Sequence, residues 1–107
     1  MPRMRVIALS TLRDFWSLPE FRDAEEPLKA WYAEAGRAHW RQPADIKAQY
    51  ANASILKGNR VVFNIKGNDY RLVSAVAYRM GIVYVKFVGT HAQHDRIDVH
   101  TVDQSAD

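Results

Sequence analysis

Apolar and polar positions change period partway along the chain. Arg5-Val-Ile-Ala-Leu9 is a short apolar run that predicts a strand. Ser10 or Thr11 can cap a following helix, because a hydroxyl oxygen there accepts an orphan backbone N–H. Leu12, Phe15 and Trp16 then recur at helical spacing until Pro19 closes the segment. A second helix is predicted from Ala24, with Glu25 and Glu26 at its positive end and Pro27 in the first turn. Leu28, Trp31, Tyr32 and Ala35 keep the period, and the run ends before Pro43. Pro43 to Tyr50 predicts a short extra helix, and Ala51 to Asn59 a connecting loop. From Arg60 onward the residues that suit a pleated surface take over, in the segments Arg60–Lys66, Asp69–Arg79 and Ile82–Thr90. Gly67-Asn68 and Met80-Gly81 separate them as two-residue hairpin turns. A strand, two helices and a three-stranded antiparallel meander packed on those helices make an α+β domain.

Two-residue turns fix a register. The first pairs Asn64 with Arg71 and Phe63 with Leu72; the second pairs Ala75 with Lys86 and Tyr78 with Val83. Since side chains alternate across a strand, every residue is then assigned to a face. Val61, Phe63, Ile65, Tyr70, Leu72, Val76, Val83, Val85 and Phe87 fall on one face, which the helices must cover. The opposite face receives Arg60, Lys66, Arg71, Arg79 and Lys86, together with Asn64, Tyr84, Val88 and Thr90. A bulge of one residue would reassign whatever lies beyond it. Cations set between small residues suit a phosphodiester backbone, with Tyr84 offering a ring for stacking and Asn64 an amide. A plain solvated sheet face has the same pattern.

Composition narrows the classes. With 107 residues, 48% hydrophobic and 25% charged, the chain fits one globular domain, placed at residues 1–102 with a flexible tail at 103–107. The absence of cysteine excludes disulfides, thiolate zinc sites and cysteine nucleophiles. No apolar run approaches the roughly 18–20 residues of a membrane helix. The first apolar run, about four residues, is too short for a signal peptide. The expectation is a soluble, cytoplasmic protein without a membrane partner. Of the net charge of +3, the segment 57–100 carries an excess, with seven Lys/Arg against three Asp. That excess points to an anionic partner on this half.

The last predicted strand runs into Gly89-Thr-His-Ala-Gln-His-Asp95, which puts His91 and His94 just past the basic sheet. Imidazole gives or takes a proton near neutral pH. A base, an acid and a group of cations are what attack of a ribose 2′-hydroxyl on its neighbouring phosphate requires. Ordinary surface histidines are the plain alternative. His91-x-x-His94-Asp95 as a metal site is another, although no further ligand cluster stands out and no metal or cofactor is expected. His39 and His100 are expected at the surface, and Trp16, Trp31 and Trp40 in the core.

Longer segments carry a resemblance. Asn64-Ile-Lys-Gly-Asn68-Asp-Tyr-Arg71-Leu-Val, and Phe87-Val-Gly-Thr-His91-Ala-Gln-His94-Asp95-x-Ile-Asp98, resemble the HigB-type toxins of bacterial toxin–antitoxin pairs. Leu28-Lys-Ala-Trp31-Tyr, Trp40-x-x-Pro43-Ala-Asp-Ile-Lys47 and Gly58-Asn-Arg60-Val-Val-Phe-Asn64 also match, so the similarity covers about residues 5–98. The resemblance implies a RelE-like fold and a ribonuclease of messenger RNA, generally on the ribosome. It also implies neutralisation by a HigA-like helix-turn-helix antitoxin. Asn64, Asn68, Arg71, Thr90, His91 and Asp95 occupy motif positions, with Arg71 expected to hold the scissile phosphate and His91 to move a proton. His94 stands where the motif more often has Tyr, and Lys66 where it commonly has Gly. The reading that follows is a metal-independent endoribonuclease. Arg71, His91 and His94 are its catalytic residues, and Arg60, Asn64, Lys66, Asn68, Tyr84, Lys86 and Asp95 contact RNA. A non-catalytic RNA- or protein-binding module of the same fold is its rival.

Overall fold

The computed structural model describes residues 3–104. Its elements are β1 (Arg5–Ile7), α1 (Leu9–Trp16), a 3-10 segment (Pro19–Ala24), α2 (Glu25–Arg37) and α3 (Pro43–Gln49), then β2 (Ser54–Leu56), β3 (Arg60–Ile65), β4 (Tyr70–Ala77), β5 (Ile82–Thr90) and α4 (His91–His94). The α+β class is as expected, but the sheet has five strands, ordered β1-β5-β4-β3-β2. The first strand joins parallel to β5. The predicted loop 51–59 contains β2, which pairs antiparallel with β3 through Ser54–Val62 and Leu56–Arg60. That strand is only three residues long and carries no alternation that a sequence pattern can register.

One face of the sheet meets the helices. Leu12, Phe15 and Trp16 of α1, Leu28, Trp31 and Ala35 of α2, and Ile46 of α3 pack with Val61, Phe63, Leu72, Val76, Val83 and Val85. Trp16, Trp31 and Trp40 are all buried in this core. The first helix begins at Leu9 with Ala8 as its cap and no side-chain cap bond, so Ser10 and Thr11 lie inside the first turn instead of capping it. Among the described residues no helix is long and apolar enough to cross a membrane.

The β3–β4 register follows the two-residue expectation throughout, with Phe63 opposite Leu72 and Asn64 opposite Arg71. The second hairpin departs from it. Its closing pair is Ala77–Ile82, leaving a four-residue loop, Tyr78 to Gly81, with Gly81 at φ 69°. Ala75 therefore faces Tyr84, not Lys86, and Val83 faces Val76, not Tyr78. Between Val73–Phe87 and Ser74–Val85 the ladder slips by one residue, so Lys86 is an extra residue in β5. A bulge reverses the facing of everything after it. Val88 consequently joins the helix-side core, and Phe87 turns to the other face beside Val62 and Val73. Both assignments are the reverse of the simple alternation.

The other face is not open. Residues 97–104 cross it as a strap, with Ile97, Val99 and Val102 covering Val62, Val73 and Phe87. Arg60 donates from Nη1 to the carbonyl oxygens of Val99 and Val102 at 2.9 and 2.8 Å. Lys86 pairs with the Asp103 carboxylate at 3.1 Å. The Gln104 N–H donates to the Lys86 carbonyl, and the Gln104 side-chain oxygen accepts from the Val88 N–H. Asp103 and Gln104, assigned on sequence grounds to a free tail, are thus bonded to β5; residues 105–107 lie outside the described residues.

Candidate functional site

Strand pairing begins the site. Arg71 on β4 stands opposite Asn64 on β3 and Gly89 on β5. Its Nη1 donates to the Asn68 side-chain oxygen at 3.2 Å, so the turn residue Asn68 orients the guanidinium. The neighbouring Gly89 has to be glycine. A Cβ there would lie 2.6 Å from the Phe87 ring and 2.7 Å from the Gln93 side-chain oxygen.

The histidines are placed by a cap. Thr90 accepts from the Gln93 N–H through its hydroxyl at 3.1 Å, while the Gln93 side-chain oxygen accepts from the Thr90 N–H at 2.8 Å. This reciprocal pair closes the first turn of α4 and satisfies two backbone donors. The His91 N–H also donates to the Asp69 carbonyl, which ties α4 to the β3–β4 turn. His91 Nε2 lies 3.6 Å from an Asp95 carboxylate oxygen, and His94 Nδ1 lies 3.8 Å from the same oxygen. Those separations exceed a hydrogen bond but remain inside strong Coulomb range.

The two imidazoles differ in environment. His91 is 53% exposed at its side chain, His94 only 19%. Both His94 ring nitrogens are shielded, without a hydrogen-bond partner, and the ring lies 6.4 Å from that of Phe87. Burial, and then the Arg71 charge, hold the His94 pKa below its ordinary value of 6.5, so the ring is neutral at pH 7.

Arg71, Asn64, His91, His94 and Asp95 line one cleft of about 330 Å³, completed by Asn52, Ser54, Leu56, Val62 and Val99. Five of the expected site residues therefore converge, with Asn68 supporting Arg71. The others do not join them. Arg60 and Lys86 lie on the same face, but their charges are engaged by the strap. Tyr84 sits under the Lys86 ammonium, 5.4 Å from its ring centroid, and does not line the cleft. Lys66 turns to the opposite side of the sheet. It adopts a left-handed φ of 52°, which breaks the alternation, and pairs with Asp23 at 2.8 Å and Asp69 at 3.3 Å. Asp23 also accepts from the Tyr70 hydroxyl, and the Lys66 and Tyr70 bonds hold its carboxyl below the usual range. Burial and the Asp23 contact push the Tyr70 hydroxyl up to about 12.

The Thr90-x-x-Gln93 capping box was readable in the sequence as a helix start. Asn52, Ser54, Leu56 and Val99 carried no such signal, since they reach the cleft only through β2 and the strap. His39 and His100 are exposed, as expected. Among the described residues no group of three or more His, Cys, Asp or Glu is arranged to hold a metal ion.

Comparison with known proteins assigns the chain. No curated protein matches it. The family described as HigB_toxin, the RelE-like toxic component of a toxin-antitoxin system, matches residues 24–97. The chain belongs to the HigB toxins. The matched stretch opens just before α2 and closes at Ile97, so it contains Arg71, His91, His94 and Asp95. The first strand, α1 and the strap beyond Ile97 fall outside it, a narrower reach than the 5–98 expected from the motifs. As the toxic member of such a system, the toxin has an antitoxin as its partner.

Proposed function

We propose that this HigB toxin is an endoribonuclease that cuts messenger RNA by 2′-hydroxyl attack and thereby stops translation. One observation carries the reading: a guanidinium, two imidazoles and an amide from β3, β4 and α4 converge in a single cleft. Arg71 binds the non-bridging oxygens of the scissile phosphate and stabilises the charge that grows there. His94, neutral and with no nitrogen committed to a protein partner, accepts the proton of the 2′-hydroxyl. The 2′-oxygen forms its bond to phosphorus as the bond from phosphorus to the 5′-oxygen breaks. His91 gives its proton to that leaving oxygen, and Asp95 orients the ring. The products are a 2′,3′-cyclic phosphate and a 5′-hydroxyl, and no metal takes part. Asn64 and Asn68 hold the RNA and Arg71 in register.

Family kinship supports the setting: messenger RNA on the ribosome, in the cytoplasm, with a HigA-like helix-turn-helix protein as antitoxin. The test is incubation of purified toxin with ribosome-bound and free messenger RNA, with the new ends mapped. Cyclic-phosphate ends that appear with wild type and survive chelation, but vanish in Arg71→Ala, are the expected result. Intact RNA throughout would discard the proposal.

The shielding of both His94 nitrogens favours a second reading, a non-catalytic RNA- or protein-binding module. Expression without the antitoxin separates the two. Growth arrest abolished by His91→Ala supports the enzyme, and arrest unchanged by it supports the binder.

A further inference from the structure

The β3–β4 turn is bonded on both sides of the sheet. Toward the cleft, the Asn68 side-chain oxygen accepts from Arg71 Nη1, and the Asp69 carbonyl accepts from the His91 N–H at 3.2 Å. Toward the helices, one Asp23 carboxylate oxygen accepts from the Lys66 ammonium at 2.8 Å and the other from the Tyr70 hydroxyl. Lys66 and Tyr70 flank the turn, so this one carboxylate brackets it. Asp23 is placed there by its own segment, Pro19–Ala24, in which Phe21 stacks on Phe15 at 4.5 Å and meets Tyr70 edge-on at 6.3 Å. The turn has a physical reason to be held. Lys66 and Gly67 stand at left-handed φ values of 52° and 63°, which glycine adopts freely and lysine does not. Lys66 takes that conformation with its ammonium bonded to Asp23 and with Asp69 3.3 Å away.

We propose that Asp23 is a positioning residue for the cleft: from the opposite side of the sheet, its carboxylate holds the turn that orients Arg71 and fixes His91. This deepens the ribonuclease proposal and rests on it for the reaction served, while the coupling across the sheet exists without RNA. An ion pair whose partners are 42% and 54% exposed adds little to stability. Its effect is on where the guanidinium and the imidazole stand. A distant substitution that displaces reacting groups by about 1 Å can cost about 10²-fold in rate, and a fraction of that displacement predicts about a tenfold loss.

Asp23→Asn tests this in the full-length toxin. The amide oxygen still accepts from the Tyr70 hydroxyl, whereas the charge and the acceptor that hold Lys66 are gone. In cleavage of ribosome-bound messenger RNA, kcat should fall about tenfold with KM unchanged. Loss of a negative charge strengthens attraction to RNA if it changes it at all, so weaker binding cannot produce that result. Asp23→Glu, which keeps the charge, should recover most of the rate. In the nitrogen-15 spectrum of the free toxin, the Asn68, Asp69 and His91 amide signals and the Arg71 Nε–H signal should move in Asp23→Asn. Lys66→Met, which breaks the pair from its other end, should move the same signals. Shifts confined to Lys66 and Tyr70 would overturn the proposal, as would unchanged kcat or a loss that lies in KM alone. If the wild-type toxin cuts no RNA, the ribonuclease reading fails and the spectra alone decide: displaced Arg71 and His91 signals sustain the coupling, and unmoved ones end it.

Discussion

At the scale of single residues, Arg71 and His94 carry the sharpest consequences. Arg71 is half-buried, oriented by Asn68, and lines the cleft. Removing one preorganised donor to a developing phosphoryl charge costs about 10²–10³ in rate, and Arg71→Ala should lose that much in single-turnover cleavage. Arg71→Lys should recover little, because an ammonium lacks the planar fork. His94 sets a pH dependence of stability. Its folded pKa lies below 6.5, so between that lowered value and 6.5 the unfolded chain binds more protons than the native state. Stability is therefore full above 6.5 and declines as pH falls through the window. A melting temperature that drops from about pH 7.5 to about pH 5.5 in wild type, with a flatter slope in His94→Gln, is the expected outcome. Equal slopes would remove the assignment. His94→Tyr, which restores the residue the motif more often has, should move the acidic limb of the activity profile upward, since the base must be deprotonated to act and a phenol titrates several units above imidazole.

Elements position those residues, and the β5–α4 junction is where they are most exposed to error. Gly89, Thr90 and Gln93 form one small device: the glycine leaves room for the Phe87 ring and the Gln93 amide, and that amide completes the cap. Gly89→Ala forces a methyl into both, so a loss of about 1–3 kcal/mol in chemical denaturation is expected, with a disproportionate loss of cleavage. Thr90→Ala removes the hydroxyl partner of the Gln93 N–H alone and should cost about 1 kcal/mol. If Thr90→Ala leaves both His91 placement and activity untouched, the cap is structural decoration and not a positioning device. The bulge at Lys86 acts on the same strand. By reversing the faces of Phe87 and Val88 it gives the strap an aromatic surface to cover and the helix-side core another valine.

The molecule as a whole is a sheet covered on both faces, by helices on one side and by residues 97–104 on the other. Arg60 and Lys86 bind this covering and leave Arg71 as the cation that lines the cleft. Hydrogen bonds to a charged donor are worth about 1.5–3 kcal/mol, so Arg60→Ala should lower stability by an amount of that order. Truncation after Asp98 should cost more, because Val62, Val73 and Phe87 lose their cover at about 1.5–3 kcal/mol for each fully exposed side chain. Dye binding and melting curves of the truncated toxin check this: unchanged stability would mean the strap is dispensable to the fold.

The sequence by itself determined what short-range physics encodes. Helical spacing located Leu12, Phe15, Leu28 and Trp31 in the core, and strict alternation with a short turn paired Asn64 with Arg71. The motif around His91 and Asp95 identified the family that the comparison then showed. Only the tertiary structure decided which cations serve the cleft. Lys66 left the basic face through a backbone angle, and Lys86 and Phe87 were set by a one-residue slip that costs little locally. Arg60 was claimed by carbonyls 39 and 42 residues away. Propensity and periodicity act over a turn or a strand; contacts at that separation arise from packing two distant segments together, and no local pattern records them.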